Sequence, residues 1–286
     1  LARSCRLLFP DTPIVVGGAH ATVLPDDLLA HSELDCAVRG EGEQTLTELV
    51  EGVPFAEIQG LSWRRGGQVV HNPDRPLLED LDQLPSPAWQ RLPMGSYRPG
   101  LGTYRQLPAM SLMTGRGCPN RCTYCFNIFG RRVRRQSPGR VVQEIHLLRR
   151  DYGVRQIQFY DDTFTLQRSW LDEFCGRLVR ELPDVSWTCY GRVDRVDAPS
   201  LDRMAKAGCH QICFGVESGD PAVLSTIDKR IGPDQVRRAV RLARQAGIEP
   251  RGTFMFGNQG ETPATMQRTL DLAQELDLDV ALFSVA

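Results

Sequence analysis

Three absences bound what this chain of 286 residues is expected to be. No apolar run approaches the roughly 18 residues of a membrane span, so no transmembrane segment is expected. Neither sign of charge is in excess: 34 basic residues stand against 35 acidic ones, with a formal net charge of -1. That balance creates no global field to draw in a polyanion, so nucleic acid is not an expected partner. Signal-peptide features are also missing from the start. The chain opens on Leu1 and stops within the apolar "DVALFSVA", which reads as a buried strand with something after it, so a fragment is expected. Nine cysteines, an odd number in a chain far larger than a disulfide-stapled miniprotein, point to a reducing compartment, the cytoplasm, with thiols used as ligands or core residues.

What is present is an alternation of strands and helices. "TPIVVGG", "DCAVRG" and the helical "EQTLTELVEG", followed by a hairpin at "GLSWRRGGQVVH", read as part of an α/β layer over residues 1–70. Residues 71–107 carry many prolines without sustained period and read as a linker or wrapping segment. From residue 108 to 286 six strand-like stretches follow: "AMSLMT", "QIQFYD", "VSWTCYG", "QICFGV", "GTFMFG" and "VALFSV". Helical stripes separate them, among them Val141, Ile145 and Leu148, then Leu171, Phe174, Leu178 and Leu182, then Val236, Val240 and Ala243. The fold class expected is α/β, a partial (β/α)6 TIM-like barrel of parallel strands preceded by a partial Rossmann-like domain. Chemistry in such a barrel collects where strands end. There the sequence places the cysteine loop after Gly115, the pair Asp161 and Asp162, Arg192, the pair Glu217 and Ser218, and Gly257 with Asn258.

The cysteine loop is "GRGCPNRCTYC", with Cys118, Cys122 and Cys125 on a Gly-flanked, Pro-broken segment. Three thiolates can wrap a metal centre without completing a four-ligand one. On a cubane iron-sulfur cluster they leave one iron open to an exogenous ligand. A zinc site with a distant fourth ligand from His146, His210 or Cys175 is the alternative, although no second CxxC and no HxxxH pair supports it. Unliganded buried thiols are the remaining one.

"CPNRCTYC" resembles the CxxxCxxC signature of the radical S-adenosylmethionine (radical SAM) superfamily, with Tyr124 as the aromatic before the last cysteine. "FYDDTFT", "FGVESGD" and "FMFGNQGET" look like later strand ends of such enzymes, so the resemblance spans roughly residues 108–286. It implies a 4Fe-4S cluster held by the three cysteines and S-adenosylmethionine on its open iron. By position it implies Asp161 and Asp162 at the methionyl amine, Glu217 and Ser218 at the ribose or methionyl end, backbone near Tyr124 at the adenine, and Arg192 at the same rim. The fifth motif departs from the usual pattern at Asn258-Gln259, so Asn258 is not expected to be a ligand. Upstream, "PIVVGGAHATVLPDDLL" and "DCAVRGEGEQTLTELV" resemble the second half of a cobalamin-binding domain. In it Gly17 and Gly18 would let backbone approach the corrin's nucleotide tail, and His20 is a loop residue. No Asp-x-His-x-x-Gly stretch, the usual source of an axial histidine, surrounds any of the five histidines.

The resemblance implies an enzyme that cleaves S-adenosylmethionine reductively and transfers a methyl group to an unactivated carbon, or carries out a radical oxidation or cyclisation. An electron donor such as flavodoxin or ferredoxin and a small-molecule, natural-product-like substrate are the partners implied. Methylthiotransferases are disfavoured, because only Cys5 and Cys36 precede the barrel. A zinc-stabilised binding protein and a catalytically silent scaffold barrel are the competing classes. "GRRVRRQ" is expected to be a solvated loop, and Cys209 and Cys213 to flank a strand that begins near Gln211.

Overall fold

The structure is a computed structural model that describes residues 1–100 and 102–286. It resolves into two compact units, one of residues 1–79 with 126–130, the other of residues 80–125 with 131–286.

In the first unit α1 (Ala2–Leu8) is followed by β1 (Val15–Val16), α2 (Ala19–Val23), α3 (Pro25–Leu29), β2 (Cys36–Val38), α4 (Glu43–Val50), β3 (Leu61–Arg65) and β4 (Gln68–His71). The sheet runs β1-β2-β3-β4, with β1 parallel to β2 and the rest antiparallel. Its hairpin turns on Gly66 and Gly67, at φ 57° and 85°, the two left-handed positions that a two-residue turn requires. The strand β2 is buried on both sides, with Ala37 packing against Ala21, Leu29 and Leu34, and Cys36 and Val38 against Ile58 and Leu61. A short strand covered on both faces is what a layered α/β arrangement demands. His20 lies in α2 rather than in a loop, with its Nε2 3.0 Å from Asp27 Oδ2.

The second unit is built on six parallel strands: β5 (Ala109–Leu112), β8 (Gln156–Phe159), β9 (Ser186–Gly191), β10 (Cys209–Glu217), β11 (Glu249–Phe256) and β12 (Val280–Val285), adjacent in chain order. A two-stranded ribbon, β6 (Gly115–Arg116) with β7 (Arg134–Arg135), brackets the cysteine loop. The crossovers are α5 (Pro138–Tyr152), α6 (Arg168–Glu181), α7 (Ala198–Lys206), α8 (Pro221–Thr226) with α9 (Pro233–Gln245), and α10 (Pro263–Leu276). Consecutive parallel strands each joined through a helix curl into the partial TIM-like barrel expected. The helical stripes named above are all buried. Between sheet and helices, Phe159 stacks on Phe164 with ring centroids 4.6 Å apart, and Phe174 and Trp187 meet Phe159 edge-on.

The opposite face of the sheet is polar. Gln156 and Gln158 donate to the Thr103 carbonyl at 2.9 and 3.0 Å, and Gln211 donates to the Gly102 carbonyl at 3.0 Å. The Gly102–Thr103 backbone therefore lies against the polar face of the half-barrel. One expectation fails in this unit: strand β10 starts at Cys209, two residues earlier than expected. The outermost strand β12 is largely exposed.

His210, on β10, is 4% exposed, and neither ring nitrogen has a partner among the described residues. Burial, reinforced by Arg105, lowers its pKa from 6.5 to about 4. The unfolded chain takes up that proton near pH 6.5 and the native state does not, so stability is complete above 6.5 and is lost as pH falls toward 4. The loss amounts to at most on the order of 3 kcal/mol. Urea melts at pH 7 and pH 5 should show His210→Phe losing less stability than wild type, and equal losses would remove the assignment.

Candidate active site

The strand ends gather one group of side chains around the cysteine loop. Loop residues 117–125 are tied down from two sides: Gly117 N–H donates to Asp162 Oδ2 at 3.2 Å, and Thr123 N–H donates to the Ile227 carbonyl at 3.0 Å. A turn from the Cys125 N–H to the Cys122 carbonyl, 3.1 Å, brings the second and third cysteines together. Cys118 Sγ accepts from Asn120 Nδ2 at 3.2 Å and lies 3.7 Å from Thr163 Oγ1. The Cys125 thiol is pushed up by burial and by the neighbouring Cys122 and Cys118 sulfurs, while Lys229 pulls it back. Among the described residues no three Cys, His, Asp or Glu side chains are grouped closely enough to hold a metal ion as they stand. The donor set nonetheless fits a cluster with an open iron by its chemistry: three cysteines on one loop, Cys118 hydrogen-bonded from Asn120, with Arg192 and Lys229 near enough to offset thiolate charge.

Opposite the loop, Lys229 Nζ lies 2.9 Å from Glu217 Oε1 and donates to Tyr124 OH at 3.1 Å. Lys229 and Glu217 are 6% and 8% exposed. The backbone is strained to hold them. Among the described residues four other than glycine have positive φ, and three of them are Glu217 at 69°, Asp228 at 49° and Arg230 at 56°. The last two flank Lys229, and Glu217 follows a break in the register of β10. Such conformations cost about 1–3 kcal/mol each and concentrate at functional sites. Gly215 makes room for the pair, since a Cβ there would stand 2.6 Å from Glu217 Oε1 and 2.8 Å from Lys229 Nζ. Arg192 braces the back, donating to Asp194 Oδ1 at 2.9 Å and to the Lys229 carbonyl at 3.0 Å.

Other expected residues are engaged elsewhere. Ser218 is fully buried, its Oγ 3.1 Å from Thr269 Oγ1 and accepting from the Asp220 N–H at 3.1 Å. It packs β10 onto α10 and does not share the rim with Glu217. Its neighbour Gly219 admits no side chain, since a Cβ would meet the Arg268 carbonyl at 2.4 Å. Asp161 and Asp162 are not a working pair. Asp161 is buried, accepting from the Thr114 N–H and Oγ1, both at 2.7 Å, and from the Gly115 backbone, with Arg135 at 3.7 Å, whereas Asp162 accepts from the Gly117 N–H. Asn258 is buried against the Met255 carbonyl, which its side chain reaches at 2.9 Å. "GRRVRRQ" is only half solvated: Arg131 and Arg132 are exposed, whereas Arg135 lies 4.5 Å over the Trp170 ring and donates to the Thr163 and Phe164 carbonyls. Lys229 escaped the sequence reading, although it is one of only two lysines in a chain otherwise served by arginine.

In the first unit Gly18 has φ 97°, and a Cβ on it would meet nothing within 4 Å. Gly17 beside it would touch only Val38, at 3.8 Å. The turn after β1 thus leaves open surface of the kind a large planar ligand needs for close backbone approach.

Comparison with known proteins agrees with both units. The family description "B12 binding domain" matches residues 1–50 and "Radical SAM superfamily" matches residues 112–273. An uncharacterized methyltransferase of Pyrococcus horikoshii is 37% identical over 100% of this chain and 63% of its own length. The anaerobic magnesium-protoporphyrin IX monomethyl ester cyclase of Cereibacter sphaeroides is 32% identical over 96% of this chain and 47% of its own length. The chain therefore spans about half to two thirds of these relatives. Among solved structures, the radical S-adenosylmethionine methyltransferase TsrM from Kitasatospora setae, with tryptophan and a SAM analogue bound, matches with TM-score 0.78 and 26% identity over 99% of this chain and 57% of that one. With more than half its length matched and the cysteine loop at the strand ends, the chain belongs to the radical SAM superfamily, whose cofactors are a 4Fe-4S cluster and S-adenosylmethionine, and carries a B12-binding domain ahead of its barrel.

Proposed function

We propose that the protein uses residues 108–286 to cleave S-adenosylmethionine reductively, and residues 1–70 to hold cobalamin, in methyl transfer to an unactivated carbon or in oxidative cyclisation. The observation that carries the reading is the Lys229–Glu217 pair, buried and strained into place beside Cys118, Cys122 and Cys125. The three cysteines hold the cluster. Lys229 and Glu217 present one positive and one negative group to the zwitterionic end of S-adenosylmethionine, Tyr124 lines the same rim, and Arg192 and Asp162 position the loop. When bound, the cluster supplies one electron that divides S-adenosylmethionine into methionine and a 5'-deoxyadenosyl radical. Burial at this rim excludes water from that chemistry. The electron comes from a donor such as flavodoxin or ferredoxin, and the substrate is a small molecule. Nine free thiols support a reducing compartment, the cytoplasm.

The test is spectroscopic and chemical. Anaerobically reconstituted full-length protein should show a broad charge-transfer shoulder and release 5'-deoxyadenosine with a reductant. A zinc site shows no shoulder, and a silent barrel releases no 5'-deoxyadenosine.

Cobalamin is tested separately. Titration of full-length protein with hydroxocobalamin should shift the corrin bands, and Gly18→Val should weaken binding by about tenfold or more, since the added Cβ and methyls occupy the approach and φ 97° disfavours any side chain. Equal binding by Gly18→Val and wild type would remove Gly17 and Gly18 from the site.

A further inference from the structure

Arg251 raises a problem of charge. It sits on β11 opposite Cys213 of β10, is 8% exposed, and belongs to the polar face of the sheet. Its Nη1 donates to Gln211 Oε1 at 3.1 Å, and its buried Nε has no acceptor among the described residues. Among the described residues it makes no ion pair. The nearest comparisons behave differently: buried Arg135 has Asp161, and buried Arg192 has Asp194. Glu249, two residues from Arg251 on the same strand, is already committed to Arg105 and Gln211. A guanidinium stays charged at any physiological pH, and burying it without a counter-charge is costly. A fold that retains one in such a place has a use for it.

The surroundings say which use. A cavity of about 20 Å³ beside Arg251 is lined by Gln158, Thr188, Cys213, Tyr160 and Tyr190, enough for one water-sized atom such as a single oxygen. Its floor is the Gly102–Thr103 backbone clamped by the Gln158 and Gln211 amides. Its other side carries Tyr160 and Tyr190, both exposed, with ring centroids 5.6 Å apart and tilted by 44°. The site therefore offers a buried cation at its end and two aromatic walls at its opening. We propose that Arg251 anchors an oxyanion carried by the substrate, a carboxylate or phosphoryl group, with the body of that molecule against Tyr160 and Tyr190. The word substrate rests on the radical chemistry proposed above, whereas the oxyanion site stands on its own geometry.

Saturation-transfer NMR on full-length protein tests it with three probes of similar size: benzoate, phenylphosphonate and neutral benzyl alcohol. At least one anion should bind wild type, and the one that does names the acid as carboxylate or phosphoryl. Its affinity should fall by about tenfold or more in Arg251→Gln, the scale of a lost charge-assisted hydrogen bond. Cys213→Asp should abolish binding equally, because it sets a carboxylate directly across from the guanidinium. That second variant carries the test if Arg251→Gln proves misfolded by circular dichroism. Benzyl alcohol should not distinguish wild type from either variant. Failure of both anions to bind wild type, or undiminished binding by a folded variant, overturns the proposal. Release of 5'-deoxyadenosine by the same wild-type preparation is read in parallel, so that loss of the chemistry and loss of the oxyanion site are seen separately.

Discussion

Alanine at Cys118, Cys122 or Cys125 should leave a folded protein with no charge-transfer shoulder and with 5'-deoxyadenosine release reduced by more than about a hundredfold, beyond the 10–100-fold typical of losing an outer partner of a metal ligand. The reason lies in the ligand count. A cluster held by three thiolates has no spare protein ligand, and the loop offers no carboxylate or imidazole in sequence between Cys118 and Cys125 to substitute. Fold should survive, because the loop is tied by backbone contacts from Gly117 and Thr123 that do not use the sulfurs. Asn120→Ala supplies the graded control. It removes only the donor to Cys118 Sγ, so iron content should stay near wild type while the rate falls within the outer-partner range. Iron per chain and 5'-deoxyadenosine, measured together on each variant, check this. Wild-type release from the triple-alanine protein would end the radical SAM reading of the site.

The four central barrel strands were legible because they are short runs with β-branched or aromatic residues leading into glycine or an acid, with a 3.6-residue apolar stripe before the next. The cysteines were legible because their spacing carries the chemistry in itself. What resisted was the direction of neighbouring side chains at a strand end. Glu217 and Ser218 are consecutive, and a regular strand would place them on opposite faces. The bulge before Glu217 and its left-handed φ decide which of them meets the loop, and neither is visible in "FGVESGD". The same holds for Asp161 and Asp162, of which the first is consumed by Thr114 and Arg135. Partners distant in sequence stayed hidden for a related reason. Lys229 reaches Glu217 only because Asp228 and Arg230 turn the backbone left-handed on either side of it, and Arg251 meets Gln211 only across paired strands. The buried half of "GRRVRRQ" shows how a charge run misleads when an aromatic, here Trp170, waits in a helix more than 30 residues away.

Lys229→Met should be among the most damaging single changes outside the cysteines. It removes the ammonium 2.9 Å from Glu217 Oε1 and leaves a carboxylate at a site only 8% exposed. Breaking a buried pair by deleting one partner typically costs about 3–5 kcal/mol. For a protein of this size that corresponds to a fall in Tm of roughly 10 °C. Binding should suffer further on the proposed role of Lys229, in which its ammonium is offered to the carboxylate of S-adenosylmethionine. Its affinity should drop about a hundredfold, the scale of a lost charged contact. Lys229→Arg should not rescue binding, although the charge is kept. The broader, planar guanidinium needs space that the close approach of Gly215 to Nζ does not leave. The double variant Glu217→Gln with Lys229→Met separates stability from recognition. Removing both charges abolishes the uncompensated carboxylate, so much of the lost Tm should return, while S-adenosylmethionine affinity stays low. Thermal melts and equilibrium dialysis of wild type, Glu217→Gln, Lys229→Met and the double variant complete the cycle. A double variant no more stable than Lys229→Met alone would show that the two side chains are not energetically coupled, and the site would then lack the charge pair on which its recognition of S-adenosylmethionine depends.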